Sequence, residues 1–368
     1  MLNAATYLEI RRLALAGGLW NCQPDRLRPA ADGRRMFCGW VVPPGALPRA
    51  FTILANGSPL PHAPLPQRTG PEEFVDYVLA RCGLEGRREE FGFQIELPAN
   101  PDADIELGIR FAGLTGRAET LPFLVPARPP VVEPSRLVME RTTHIREPYV
   151  FNYNGATDFH RLQLLYAAAT QSPPPRPRVL DWGCGCGRVS RFMEAAHGAE
   201  AVVGVDIDDV GIAWLHEHGG RGRYRRIERN PQLPFADDAF DLVYGISVMT
   251  HLRQEDQRRW LEELSRVLAP GGVAILTFHS LAMFFAHVNN GSSLAQLLTA
   301  GFWDYGRCAD LDEGSPAAAA ADTYRNVFNT PGNIRDLCPA ACEVVDVVAG
   351  GSSAQHDYVV FRKRSVAR

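Results

Sequence analysis

The chain has 368 residues, of which 46% are hydrophobic and 22% charged, an ordinary balance for a globular protein and a length that accommodates two domains. A formal net charge of −4 supplies no global field that would draw nucleic acid or an anionic membrane. The eight cysteines (Cys22, Cys38, Cys82, Cys184, Cys186, Cys308, Cys338 and Cys342) follow no framework spacing and are expected to stay reduced.

Taken in chain order, the first twenty residues place Glu9, Arg11 and Arg12 among apolar residues. The run after Arg12 is too short for a secretory leader or a membrane span, as is Ser315–Asp322, so a cytoplasmic location is expected. Short strand-like runs follow at Met36–Pro44, Ala50–Pro61, Glu90–Asn100 and Asp104–Gly113, separated by Gly, Pro and an Asn-Gly pair. Phe91, Phe93, Ile95 and Leu97 alternate with polar residues and share one face. Together these runs predict a small β-rich, sandwich-like domain over residues 1–130, with a structural or substrate-recruiting role. Proline-rich stretches at Pro59–Pro71, Leu121–Ser135 and Ser172–Arg178 read as loops or linkers, and the second sets the boundary near residue 130.

Beyond residue 150 strand and helix alternate. Arg178–Gly183 reads as a buried strand, and Val189, Phe192, Met193 and Ala196 repeat at helical spacing. Ala199–Ile207 and Phe240–Val248 are further apolar strands. Asp208-Asp209 signals a helix start before Val210–His218. Arg221–Arg229 is a basic cluster expected as a solvated loop. Gln257–Leu268 is amphipathic, with Trp260, Leu261, Leu264 and Leu268 inward, and it stops at Pro270-Gly271-Gly272. Val273–Phe278 is the next strand, and Cys342–Gly351 with Asp357–Arg364 predicts an antiparallel pair closing one edge. This grammar predicts an α/β, Rossmann-like doubly wound sheet of seven mostly parallel strands over residues 131–368.

The stretch "VLDWGCGCGR" (Val179–Arg188) carries the chemistry. Cys184 and Cys186 offer two thiolates where zinc needs four ligands, and no second pair stands nearby, so no metal is expected. Gly183, Gly185 and Gly187 follow a strand end and precede a helix, where backbone can approach a ligand closely. A dinucleotide fingerprint would need glycine at Arg188, and the acid in front suits a cationic ligand better than a pyrophosphate.

This stretch resembles the first motif of class I S-adenosylmethionine-dependent methyltransferases: a hydrophobic run, an acid, then glycine at every second position. "VVGVDI" (Val202–Ile207), "NPQLPFADDAFDLVYGISVMTHL" (Asn230–Leu252) and "WLEELSRVLAPGGVAILTF" (Trp260–Phe278) resemble that family's later segments in the same order. The resemblance implies S-adenosyl-L-methionine as cofactor. It implies that Asp181 faces the amino-acid end, that Gly183, Cys184, Gly185 and Gly187 line the cofactor through backbone, and that Asp206 accepts from the ribose hydroxyls. Ile207 would pack on adenine, Asn230 would stand near the adenine amino group in place of the family's acid, and Ser247 would lie under the sulfonium.

Methyl transfer to a hydroxyl also needs a base. His251 and His279, just past the ends of two strands, are the candidates, with His356 behind them. Acceptor specificity is expected from Asn152–Leu165 and from an insertion at about residues 279–335 rich in aromatic residues: Phe284, Phe285, Phe302, Trp303, Tyr305, Tyr324 and Phe328. Such residues pack cores as a rule, and a few can wall an acceptor pocket. Tyr324–Leu337 and His356–Lys363 resemble bacterial methyltransferases of saccharide and secondary-metabolite pathways. The expected acceptor is therefore a small molecule or saccharide hydroxyl, with neither nucleic acid nor membrane as partner. The rival readings are a protein or RNA methyltransferase recruited by the N-terminal domain, a non-catalytic adenosylmethionine-binding module, and a dehydrogenase. Acids at Glu72, Glu73, Asp76, Glu89, Glu90 and Glu96, and the absence of an "NPPY"-like motif after the fourth strand, speak against RNA.

Overall fold

The computed structural model describes residues 20–24, 33–42, 51–64, 84–98, 101–112, 118–127, 133–143, 145–170, 173–219, 223–279, 281–288, 291–307, 324–352 and 356–365, with Thr6, Asp76, Leu79 and Ala80 as isolated positions. Glu9, Arg11, Arg12, Glu72, Glu73 and Ser315–Asp322 lie outside the described residues.

The N-terminal part is two four-stranded sheets. One has the order β1 (Trp20–Pro24), β2 (Arg34–Val41), β6 (Gly92–Pro98), β5 (Ala63–Pro64); the other runs β4 (Ser58–Pro59), β3 (Phe51–Ala55), β7 (Ile105–Ala112), β8 (Ala118–Val125). Among the described residues all pairings of these strands are antiparallel. The alternating face is buried as expected: Phe91, Phe93, Ile95 and Leu97 join Ile53, Leu107 and Ile109 of the other sheet in one core, as in a sandwich. Phe91 itself closes a short helix, α1 (Arg88–Phe91), ahead of β6. Asn56 and Gly57 turn β3 into β4 with φ of 48° and 79°, the left-handed pair that a tight hairpin requires. The stretch read as a linker from Leu121 is in part strand. Pro122 lies in β8, opposite Gly108, at a sheet edge where a missing N–H breaks no ladder.

The second part is a seven-stranded sheet ordered β11 (Arg223–Arg226), β10 (Val202–Asp206), β9 (Val179–Trp182), β12 (Phe240–Gly245), β13 (Leu268–Phe278), β17 (Asp357–Lys363), β16 (Cys342–Val348). The first five strands are parallel, and the tail pair is antiparallel, as expected. Helices α2 (Arg136–Thr143) and α3 (Pro148–Ala169) precede it; α4 (Ser190–His197), α5 (Asp209–Trp214) and α6 (Gln254–Val267) connect its strands. Asp208 caps α5, accepting from the N–H groups of Val210 and Gly211. The basic cluster is in part strand: Arg223–Arg226 form β11, which pairs with β10 and buries Tyr224, with Ile227 buried just beyond it, while Arg225 and Arg226 remain exposed. Charge masked two inward-facing positions in the sequence.

The insertion forms α7 (Leu281–His287), α8 (Gly291–Ala300), a ribbon of β14 (Phe302–Arg307) and β15 (Arg325–Asn329), and α9 (Pro331–Asp336). Its Phe284, Phe285, Leu294, Leu297 and Phe328 are buried in the same core as the sandwich, together with Tyr153 of α3. Most of its aromatics are thus packing. Among the described residues no helix is long and apolar enough to cross a membrane.

Candidate active site

The parallel strands present their carboxyl ends together, and the strand order reverses on either side of β9. That switch point is where open α/β sheets leave a crevice for ligands. At it the chain turns through Gly183, Gly185 and Gly187, with φ of 82°, 52° and 78°. The N–H groups of Gly183 and Cys184 donate to the carbonyl of Val205 at 2.8 and 3.1 Å, tying the turn to β10. Both conformation and space demand glycine. A Cβ on Gly183 would strike Cγ2 of Val248, and one on Gly185 would lie 2.6 Å from Cγ2 of Thr142.

Asp206 ends β10 beside this turn. Its Oδ2 accepts from Gly185 N–H at 2.6 Å and its Oδ1 from Asp208 N–H at 2.8 Å. Burial pushes its carboxyl up, and those N–H donors oppose the rise by favouring the charged form. Asp181 is differently placed. Its Oδ2 accepts from Tyr244 Oη at 2.7 Å and from Ser190 Oγ, and its residue is only 4% exposed. Burial pushes this carboxyl up to about 6 against the pull of the two hydroxyls. The structure puts it beneath the turn as a tie between β9, β12 and α4, not open above it. Arg188 donates to Asp158 Oδ2 of α3 at 2.7 Å, and Tyr358 Oη donates to Asp158 Oδ1 at 2.9 Å. Arg188, the cation next to the glycine turn in sequence, is thereby committed to a buried carboxylate.

The remaining expected residues follow the carboxyl ends of β10, β11 and β12. Ile207 is half-buried, packed against a core that also holds Val248 and Leu233. Asn230 is exposed, and its backbone carbonyl accepts from Gln232 N–H at 2.8 Å. Ser247 follows β12 with φ of 63°, and its N–H donates to Thr277 Oγ1 at 2.7 Å. A non-glycine residue held left-handed at the end of a central strand is a recurrent mark of a working site. Cys184 and Cys186 are buried free thiols, and burial pushes both up. Among the described residues no group of three or more His, Cys, Asp or Glu is placed to hold a metal.

Sequence reasoning missed the helix over the turn. Thr142 of α2 donates to Cys186 Sγ at 3.2 Å, and Arg141 grips Asp208 through Nε and Nη2 at 2.8–3.0 Å. The amphipathic character of eight residues is too weak a signal to place such a helix. Ser190 and Tyr244 were missed because the resemblance gives neither of them a role; sheet register sets Tyr244 opposite Asp181, and the first turn of α4 brings Ser190 to it. The Asn152–Leu165 stretch, expected to select the acceptor, is largely spent on packing. Thr157 holds Leu124 N–H, and Arg161 donates to the carbonyls of Pro122 and Gly351.

The histidines come together. His251 and His279 ring centroids lie 6.3 Å apart, and His279 and His356 lie 4.8 Å apart. His251 stacks on Tyr324 at 4.1 Å and His279 on Phe328 at 4.9 Å. Asp357, next to His356, has its carboxyl pushed up by burial to about 7 while its Oδ1 accepts from Gly350 N–H.

With this geometry in hand, residues 179–272 match the family model described as a methyltransferase domain. A probable S-adenosylmethionine-dependent methyltransferase of Mycolicibacterium smegmatis is 32% identical over 39% of this chain and 58% of its own. A probable tocopherol O-methyltransferase of Oryza sativa is 32% identical over 31% of this chain and 32% of its own. A probable tRNA methyltransferase 9B of Homo sapiens is 28% identical over 38% of this chain and 28% of its own. The chain therefore spans from about a quarter to somewhat over half the length of these relatives. Fold, turn and match agree: the chain carries a class I S-adenosylmethionine-dependent methyltransferase domain. The donor set suits that cofactor. A glycine cradle that no Cβ could share, a carboxylate fit to accept from a ribose diol, and an arginine turned away favour a cationic nucleoside over a pyrophosphate.

Proposed function

We propose that the protein transfers a methyl group from S-adenosylmethionine to a hydroxyl of a small molecule or saccharide. The observation that carries this is the adjacency of two features at one sheet end: the Gly183–Gly187 turn with Asp206, and the imidazole row of His251, His279 and His356. Gly183, Cys184, Gly185 and Gly187 would hold the cofactor by backbone, Asp206 by its carboxylate, and Ile207, Asn230 and Ser247 would flank it. Asp181 acts through Ser190 and Tyr244, holding the turn in shape. When bound, the cofactor supplies a methyl group already activated on a sulfonium. The protein's work is then to align the acceptor and to take its proton. An imidazole suits that second task at neutral pH.

The name of one relative, an O-methyltransferase, favours a hydroxyl acceptor, whereas that of another, a tRNA methyltransferase, favours RNA. The acidic balance of the chain and the sequence Gly245–His251 after β12, which has no planar-amine motif, support the first. The test is to supply S-adenosylmethionine labelled in its methyl group, with a panel of phenols, sugars and hydroxy acids in one arm and total tRNA in the other. Label in alkali-stable ethers of the small molecules is the expected result; label in tRNA alone would move the reading to RNA.

A further inference from the structure

One strand of the insertion holds both leading histidines, and its carbonyls settle which nitrogen of each ring is basic. Nδ1 of His251 lies 2.8 Å from the carbonyl oxygen of Arg325, and Nδ1 of His279 lies 2.8 Å from that of Val327. A carbonyl oxygen only accepts, so Nδ1 carries the proton in both rings. A neutral imidazole has one N–H, and its lone pair therefore falls on Nε2. Residues 325 and 327 alternate along β15, so their carbonyls leave the strand on the same edge. Among the described residues the ribbon has only two strands, and imidazole N–H groups meet its edge carbonyls where a third strand would.

The two rings share this tautomer but not their access to solvent. His279 and His356 are buried, at 8% and 4% exposure, whereas His251 is only half-buried and follows Ser247 past the carboxyl end of β12. Tyr324, also half-buried, stacks on His251 with 22° between the planes and fixes the plane of the ring. Among the described residues, titratable and charged groups around it include His279, with His356 and Asp357 beyond it, Tyr324 stacked on it, Arg253 two residues on, and Arg325, whose guanidinium is paired with Asp304 at 2.9 Å.

We propose that His251 is the general base of the methyl transfer, that Tyr324 and the Arg325 carbonyl are the positioning groups that present its Nε2, and that His279 pins the ribbon without touching the acceptor. This rests on the reading of the protein as a hydroxyl methyltransferase. In the step, the acceptor oxygen bonds to the methyl carbon, and the electron pair of the broken carbon–sulfur bond stays on sulfur. The hydroxyl proton passes to Nε2 of His251, and the resulting imidazolium returns it to water.

The assignment is tested without knowing the acceptor, on the full chain with and without S-adenosylhomocysteine. Nitrogen NMR of histidine-labelled protein reads the tautomer of each ring. Assignment uses H251N and H279N, in which the asparagine amide can donate where Nδ1–H does. Diethyl pyrocarbonate, which attacks an unprotonated ring nitrogen, is then followed by peptide mapping as a function of pH. The expected result is His251 as the Nδ1–H tautomer, modified about tenfold or more faster than His279, because a buried ring reacts only when the structure opens. His251 resting as the Nε2–H tautomer, or His279 reacting as fast as His251, would overturn the proposal. Calorimetric titration with S-adenosylhomocysteine separates the two levels. Absent binding removes the methyltransferase reading itself, whereas normal binding with a contrary histidine result removes only the base assignment.

Discussion

Asp181 shows how one carboxylate in the glycine motif can serve the fold and the site at once. In the folded protein its carboxyl titrates near about 6 because burial opposes ionisation more strongly than Ser190 and Tyr244 favour it. An unfolded aspartate titrates near about 3.9. Between those values the unfolded chain releases the proton while the folded one keeps it, so stability falls as pH rises through about 4 to 6. Each unit corresponds to about 1.4 kcal/mol, so the full window is worth about 2–3 kcal/mol. Asp181→Asn cannot titrate. Its stability relative to wild type should improve by that amount between pH 4 and pH 7.5 in urea unfolding, and a gap that stays flat across this range would show that Asp181 does not titrate there. The identity of this acid was readable in the sequence; its partners were not, because Ser190 and Tyr244 are separated from it by 9 and 63 residues.

At the level of elements, the sheet, its order of strand and helix, and its antiparallel edge follow from apolar periodicity and turn residues, and the sequence conveyed them well. It failed where a polar residue holds two elements together or where charge hides inward positions, as at β11. Asp158 is the sharpest case. From the middle of α3 it receives Arg188 of the glycine turn and Tyr358 of β17, all three buried. Nothing in "NGATDFHR" marks it as more than a helix residue. Removing one partner of a buried ion pair leaves the other charge without its counter-ion, at about 3–5 kcal/mol. Asp158→Ala should therefore lose about that much in chemical unfolding, and Asp158→Asn, which keeps an acceptor, less. Equal stability of Asp158→Ala and wild type would contradict the tie.

For the whole molecule, the sequence suggests two domains divided near residue 130, and the core does not respect that division. Tyr153, Phe284, Phe285, Leu294, Leu297 and Phe328 lie in one apolar cluster with Phe37, Phe93, Ile95 and Phe123 of the sandwich. Burying such side chains contributes about 1.5–3 kcal/mol each, so separating the parts would expose a large apolar face. Calorimetric unfolding of the full chain should give one cooperative transition, and residues 131–368 alone should bind a hydrophobic dye or precipitate. Two well-separated transitions would show instead that the parts fold independently. The sequence could not reveal this union, since long-range contacts between aromatic residues leave no local pattern.

The central claim is that the turn and Asp206 together hold the cofactor, and it is tested most directly by calorimetric titration of the full chain with S-adenosylhomocysteine, wild type beside Asp206→Ala. Hydrogen bonds to a charged acceptor are worth about 1.5–3 kcal/mol each, so losing two should weaken binding by about a hundredfold or more. Saturable 1:1 binding by the wild type with that loss in the variant is the predicted result. A wild-type chain that does not bind, or a variant that binds equally well, would contradict it.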